Sequence, residues 1–121
     1  MSKSKVSIFV FGSNTQGRHG KGAALTARLE YGAISGQARG RQGNSYAIVT
    51  KDISPMRRPI PLSDIQAEVT KFIIHATSCS KETFFVTKIG CGLAGYKEED
   101  IAPMFHGAPD NCILPAGWRE L

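Results

Sequence analysis

Thr83-Phe84-Phe85-Val86-Thr87-Lys88-Ile89 runs without a break into Gly90-Cys91-Gly92-Leu93-Ala94-Gly95-Tyr96, and after Lys97 an acidic stretch begins at Glu98. The first seven residues are rich in β-branched and aromatic side chains, the composition of a strand. The next seven hold three glycines and predict a loop. Glu98 to Phe105 reads as a short helix whose first turn is acidic, as the helix dipole favours. A strand passing through a glycine loop into a helix is a unit of α/β folds, which place ligands at the carboxyl ends of their strands.

The same unit opens the chain. Lys5 to Phe11 is a β-rich run that Gly12 and Ser13 should end; a glycine-broken loop follows, and Gly22 to Tyr31 should be a helix closing at Gly32. Met1 to Phe11 faintly imitates a secretory leader, but its apolar stretch of six residues contains Ser7 and lacks a small-residue cleavage site, so it reads as a first strand. Residues 33–44 contain Gly36, Gly40 and Gly43, too many for a regular element. Ser45 to Thr50 is a second strand, and Pro55, Pro59 and Pro61 mark a loop. Ser63 and Gln66 form a capping box, followed by Ile65, Val69, Phe72, Ile73 and Ala76 at helical spacing, which predicts an amphipathic helix over 64–77. Asn111 to Leu114 is the last strand. The alternation predicts an α/β sandwich.

A length of 121 residues allows one domain spanning 1–121. Hydrophobic content of 41% and charged content of 21% are globular values and exclude collagen-like, low-complexity and disordered classes. No apolar run approaches a membrane span, so no membrane partner is expected. Cys79, Cys91 and Cys112 are odd in number and lack C-x-x-C spacing, which argues against a disulfide framework and for the reducing cytoplasm. No histidine or cysteine pair has zinc-ligand spacing, so no metal is expected; no cofactor is expected either.

The net charge of +5 is unevenly spread. Residues 1–58 carry ten Lys and Arg against Glu30 and Asp52, while residues 59–121 carry five against eight acids. A basic, glycine-rich half points to an anionic partner: nucleic acid, a phosphorylated small molecule or an acidic protein. A merely solubilising surface is the plain alternative.

Both glycine loops, 12–24 and 90–96, would offer free backbone N–H groups and a helix N-terminus to an anion. Neither is a P-loop, because Thr15 stands five before Gly20 and Ala23 replaces the magnesium-binding hydroxyl. Glycine loops also serve as plain tight turns.

The string FVTKIGCGLAGYKEEDIAPMF (85–105), with SYAIVTK (45–51) and GKGAA (20–24), resembles the macrodomain superfamily, and most of all the branch of the terminal ADP-ribose protein glycohydrolase. The resemblance covers roughly residues 6–115 and implies a compact macrodomain-like three-layer sandwich, a mixed sheet flanked by helices. It also implies a pocket for ADP-ribose or a related NAD-derived nucleotide, free or attached to a macromolecule. The candidate ligand-binding set is Ser13, Asn14, Gly20, Lys21, Gly22 and Ala23 from the first loop and Gly90, Cys91, Gly92, Leu93, Ala94, Gly95 and Tyr96 from the second. Lys51 takes the place of the branch's catalytic lysine. Where the branch has an aspartate that resolves a lysyl adduct, this chain has Ala94; the branch's early adenine-binding aspartate has no counterpart before residue 52.

Several residues carry two readings. Lys51 is a solvated strand end, a phosphate-binding cation, or a nucleophile activated by Arg39 or Arg41. Asp52 would face away from Lys51 if the strand continued. Asp100 serves its helix dipole. Cys91 lies beside a helix N-terminus, which favours thiolate, although no histidine is placed to serve it and the resemblance makes it pocket wall. His19 either binds phosphate or is exposed; His75 and His106 read as structural. Tyr96 stacks on a ribose or base, or packs in the core. Arg57 and Arg58 form an exposed basic knuckle. Three functions stay open: binding of the nucleotide, ADP-ribosyl hydrolysis through Lys51 or an activated water, and nucleic-acid binding by the basic half.

Overall fold

The structure, a computed structural model, describes residues 7–56, 60–92 and 94–121. Leu93, Arg57, Arg58 and Pro59 lie outside the described residues, as do the first six. The described residues contain no helix long and apolar enough to cross a membrane.

Five strands form one mixed sheet in the order β2-β3-β1-β4-β5: β1 (Ser7–Asn14), β2 (Gly40–Gln42), β3 (Ser45–Lys51), β4 (Thr83–Val86) and β5 (Cys112–Ile113). Only β2 is antiparallel to its neighbour. Strand periodicity divides the side chains between two layers. Ile8 and Val10, Tyr46 and Ile48, Phe84 and Val86, and Cys112 face one side. They pack there against Ile65, Val69, Phe72 and Ala76 of α2 (Leu62–Ser78), and against Ile101 and Phe105 of α3 (Glu98–Ile101) and the 3-10 turn that continues it (Ala102–Phe105). On the other side Phe11 and Ala47 meet Ala24 and Ala27 of α1 (Gly22–Glu30). The fold is therefore α/β with helices on both faces of the sheet.

Of the five apolar positions that predicted α2, Ile65, Val69, Phe72 and Ala76 are fully buried and Ile73 partly so, but the helix start differs from the expectation. The N-cap is Pro61, whose carbonyl accepts from the Asp64 and Ile65 N–H groups; Ser63 lies inside the helix and no side chain caps it. Proline presets the extended φ that an N-cap needs and so supplants the capping box.

Three further expectations are corrected. Gly12 does not end β1 but sits within it, because a Cβ there would approach Thr50 Oγ1 at 3.2 Å and Gly90 N at 3.5 Å: the glycine permits close approach of three chain segments. Residues 33–44 do contain a regular element, β2. The buried Gln42 side chain organises the loop before it by accepting from Ile34 N–H and donating to the Gln37 carbonyl. Finally, β4 stops at Val86: the Thr87 N–H makes a last ladder bond to the Val10 carbonyl, which also accepts from the Thr87 hydroxyl, and the Ile89 N–H then folds back onto the Thr87 carbonyl and turns the chain out of the sheet.

Candidate functional site

A cleft of about 710 Å³ opens at the carboxyl ends of β3, β1 and β4. Its floor begins at a fault in the sheet. The parallel register pairs Ser13 with Val49 but Asn14 with Lys51, so Thr50 is an extra residue in β3. A bulge of this kind re-aims the side chains that follow it, and here it brings Lys51 level with Asn14. Both residues line the cleft.

Asn14 builds the first wall. Its Oδ1 accepts from the Gln16 and Arg18 N–H groups, and its Nδ2 donates to the Arg18 carbonyl at 2.7 Å. Only one side-chain N–H remains for a ligand. The loop is held from beneath by His19, which is 2% exposed, pairs through Nε2 with the Gln37 carbonyl and stands edge-on to Phe11. This corrects both readings of His19: it is neither exposed nor on the ligand side.

The loop delivers the N-terminus of α1 to the cleft at Gly22, Ala23 and Ala24. Its N-cap, Lys21, makes no side-chain cap bond, and the first turn contains no acid. The leading N–H groups of a helix have no intrahelical acceptor, so this end attracts an anion.

The opposite wall is the loop after β4. Gly90 adopts φ +74, where a Cβ would also press on the Ile101 side chain at 3.2 Å. Backbone bonds from Cys91 N–H to Lys88 O, Gly95 N–H to Gly92 O and Tyr96 N–H to Gly90 O fold the loop into consecutive turns. The Tyr96 hydroxyl donates to the Ile60 carbonyl, and its ring packs against the main core.

Of the predicted site residues, Ser13, Asn14, Gly20, Lys21, Gly22, Ala23, Lys51, Gly90, Gly92 and Ala94 are brought together around this cleft. Cys91, Gly95 and Tyr96 do not line it; Tyr96 anchors the loop instead. Burial, reinforced by Glu98, pushes the Cys91 thiol up, against the thiolate expected from its position near a helix start. Asp52 follows the end of β3 and accepts from the Thr15 hydroxyl and Ser54 N–H, away from the lining. Arg39 and Arg41, expected to activate Lys51, pair with Glu68 and Glu82 and do not line the cleft.

Sequence reasoning missed Arg18, Thr50, Ile53, Thr87 and Lys88, all of which line the cleft. Lys88 lay inside the predicted strand; it is released by the turn at Thr87 and pairs with Glu98 at 3.3 Å. The lining thus carries four cations, Arg18, Lys21, Lys51 and Lys88, five glycines and, among the described residues, no carboxylate. Away from it, His75, Cys79 and Glu82 bring their ligand atoms within 4.8 Å of one another, a cluster the expectation of no metal-ligand spacing overlooked.

No family model and no curated protein sequence matches the chain. Solved structures do. A macrodomain protein from Streptomyces coelicolor superposes with a TM-score of 0.59 at 13% identity, over 94% of this chain and 90% of that one. A Bacteroides thetaiotaomicron protein of unknown function matches at 0.59 and 18% identity, over 87% and 81%. A further structure from that organism matches at 0.58 and 18%, over 88% and 83%. At these identities the likeness establishes the fold, which is macrodomain-like.

Proposed function

We propose that the cleft binds ADP-ribose or a closely related NAD-derived nucleotide, and that the chain is allied to the branch of the terminal ADP-ribose protein glycohydrolase. The observation that carries this reading is the lining itself. Four cations, of which Lys88 is paired with Glu98, bare glycine backbone and an uncapped helix N-terminus converge where α/β sheets bind ligands, and the described lining residues include no acid. The macrodomain-like fold and the Ile89-Gly90-Cys91-Gly92-Leu93 string support the choice of nucleotide. Binding is favoured over turnover because Ala94 lines the cleft where the branch places its resolving carboxylate.

Calorimetric titration with ADP-ribose tests the reading. Gly92 has open space where its Cβ would be, so Gly92→Val is expected to fold normally yet weaken binding at least about tenfold by occupying ligand space. Lys51→Ala should cost about ten- to a hundredfold through loss of a charge-assisted contact. No binding by the parent chain, or unchanged affinity in both variants, would remove the nucleotide from this cleft.

A further inference from the structure

We propose that His75, Cys79 and Glu82 form a second binding site, for a divalent metal ion of the Zn²⁺ class, in which Arg41 holds the ion's position in the metal-free chain. The site lies where α2 turns into β4, at the end of the sheet opposite the nucleotide cleft, and it stands independently of that reading.

His75 lies on the last turn of α2 and Cys79, four residues on, is the C-cap just past its end; the Cys79 N–H still donates to the His75 carbonyl at 3.0 Å, which keeps the two side chains close. Nε2 of His75 is 3.8 Å from Sγ of Cys79, and all three ligand atoms fall within 4.8 Å of one another. Bonds of about 2.0–2.3 Å to tetrahedral zinc place ligand atoms roughly 3.3–3.8 Å apart, so side-chain adjustments of about an ångström complete the geometry. Imidazole, thiolate and carboxylate on three positions, with water as the fourth ligand, are a donor set for zinc or cobalt. All three side chains are half-buried, which leaves that fourth position open to solvent.

The backbone beneath is held still. Nδ2 of Asn111 lies within hydrogen-bonding distance of three carbonyl oxygens, those of Ala76, Cys79 and Glu82, and so ties the turn carrying two of the ligands to the start of β5. Ligands on a backbone fixed by such supporting bonds need little reorganisation to bind.

Arg41 marks where a cation sits. Its Nη1 is 3.2 Å from His75 Nε2 and 2.9 Å from Glu82 Oε1, and its Nη2 is 2.9 Å from Oε2. Two of the three ligand residues therefore already direct lone pairs at a positive charge. Metal entry moves the guanidinium out to solvent, while the Cys79 thiol loses its proton to water and binds as thiolate. With Glu82 ionised in both states, the local charge stays balanced: one guanidinium is exchanged for a dication plus a new thiolate.

The test uses the chain without an affinity tag, under a non-thiol reductant, titrated with Co²⁺ by absorbance and with Zn²⁺ by calorimetry in two buffers of different ionisation enthalpy. One equivalent of Co²⁺ should produce a thiolate-to-cobalt charge-transfer band that Zn²⁺ abolishes, with about one proton released per ion. Arg41→Gln, which removes the competing charge, should tighten binding about tenfold or more. Cys79→Ser and His75→Ala should each weaken it at least about a hundredfold. Absence of the thiolate band in the parent chain at millimolar Co²⁺, or a band that persists in Cys79→Ser, would overturn the site. Should Arg41→Gln lose its near-ultraviolet circular dichroism, the parent chain's spectrum decides alone.

Discussion

Lys51 and Ala94 both line the cleft, and the chemistry open to this chain turns on the pair. A lysine that attacked the anomeric carbon of an ADP-ribosyl group would form an adduct, and opening it by hydrolysis calls for a carboxylate that Ala94 cannot provide. Asp52 does not substitute, since its oxygen already accepts from Thr15 and Ser54 and its side chain is off the lining. Turnover of ADP-ribosylated protein is therefore expected to be very slow. General acid–base assistance typically contributes about a hundred- to ten-thousandfold, so Ala94→Asp should raise turnover into that range and lose the gain when Lys51→Ala is added. Intact mass spectrometry of the substrate over time reads both. Rapid turnover by the parent chain that survives Lys51→Ala would sink the lysine assignment. Base recognition is a second residue-level matter. Neither an aromatic ring nor an acid is among the described lining residues. Exchanging adenine for another base should consequently cost less than about 1.4 kcal/mol, a factor of ten in affinity.

Among the elements, α2 was legible because an amphipathic helix advertises its buried face through local spacing: Ile65, Val69, Phe72 and Ala76 are each 0% exposed. The three-residue β2 was not legible. Its alignment opposite Ser45, Tyr46 and Ala47 and the fit of buried Gln42 beneath the loop are decided by residues brought from elsewhere in the chain. Asn111 shows how such non-local ties hold elements in place. Its amide approaches carbonyls at the end of α2 and the start of β4, while the Asn111 N-terminal flank of β5 also accepts from Phe84 N–H. Asn111→Ala would remove the side-chain donor that these carbonyls share, although those of Ala76 and Cys79 keep backbone donors in the Cys79 and Glu82 N–H groups. It is expected to destabilise the fold by about 2 kcal/mol or more, measured as a shift of the urea midpoint. A change below about 0.5 kcal/mol would mean that water replaces the amide at no cost.

At the scale of the whole molecule, folding redistributes the charge asymmetry of the chain. Six of the ten cations in residues 1–58 lie among the described residues: Arg18, Lys21 and Lys51 line the cleft, Arg39 and Arg41 pair with acids of the other half, and Arg28 donates to the His19 carbonyl. Among the described residues, the cations of the basic half thus line the cleft or tie the two halves of the molecule together. The same ties set the response to acid. The Arg41 hydrogen bond lowers the Glu82 pKa from 4.5, and the Trp118 indole, then Lys88, lowers that of Glu98 from 4.5. Burial lowers His75 from 6.5. Each folded pKa lies below its unfolded value, so each contribution is present above the unfolded pKa and is lost as pH falls through the folded one. Stability should be flat between about pH 7 and 8, decline first below the ordinary histidine value of 6.5, decline again below 4.5 as the carboxylates protonate, and fall on the alkaline side as the Cys91 and Cys112 thiols, whose pKa values burial raises from 9.0, are forced to ionise. Urea midpoints across pH would show the first decline vanish in His75→Gln; its persistence there would assign it elsewhere. The sequence alone determined the α/β alternation, the buried stripe of α2 and the two glycine loops at strand ends, because spacing and backbone freedom are local properties. Tertiary structure decided that Lys51 stands beside Asn14, that Lys88 enters the cleft while Tyr96 leaves it, and that His75, Cys79 and Glu82 meet Arg41. Those juxtapositions depend on a bulge, on parallel register and on pairings between residues tens of positions apart, which no local pattern records.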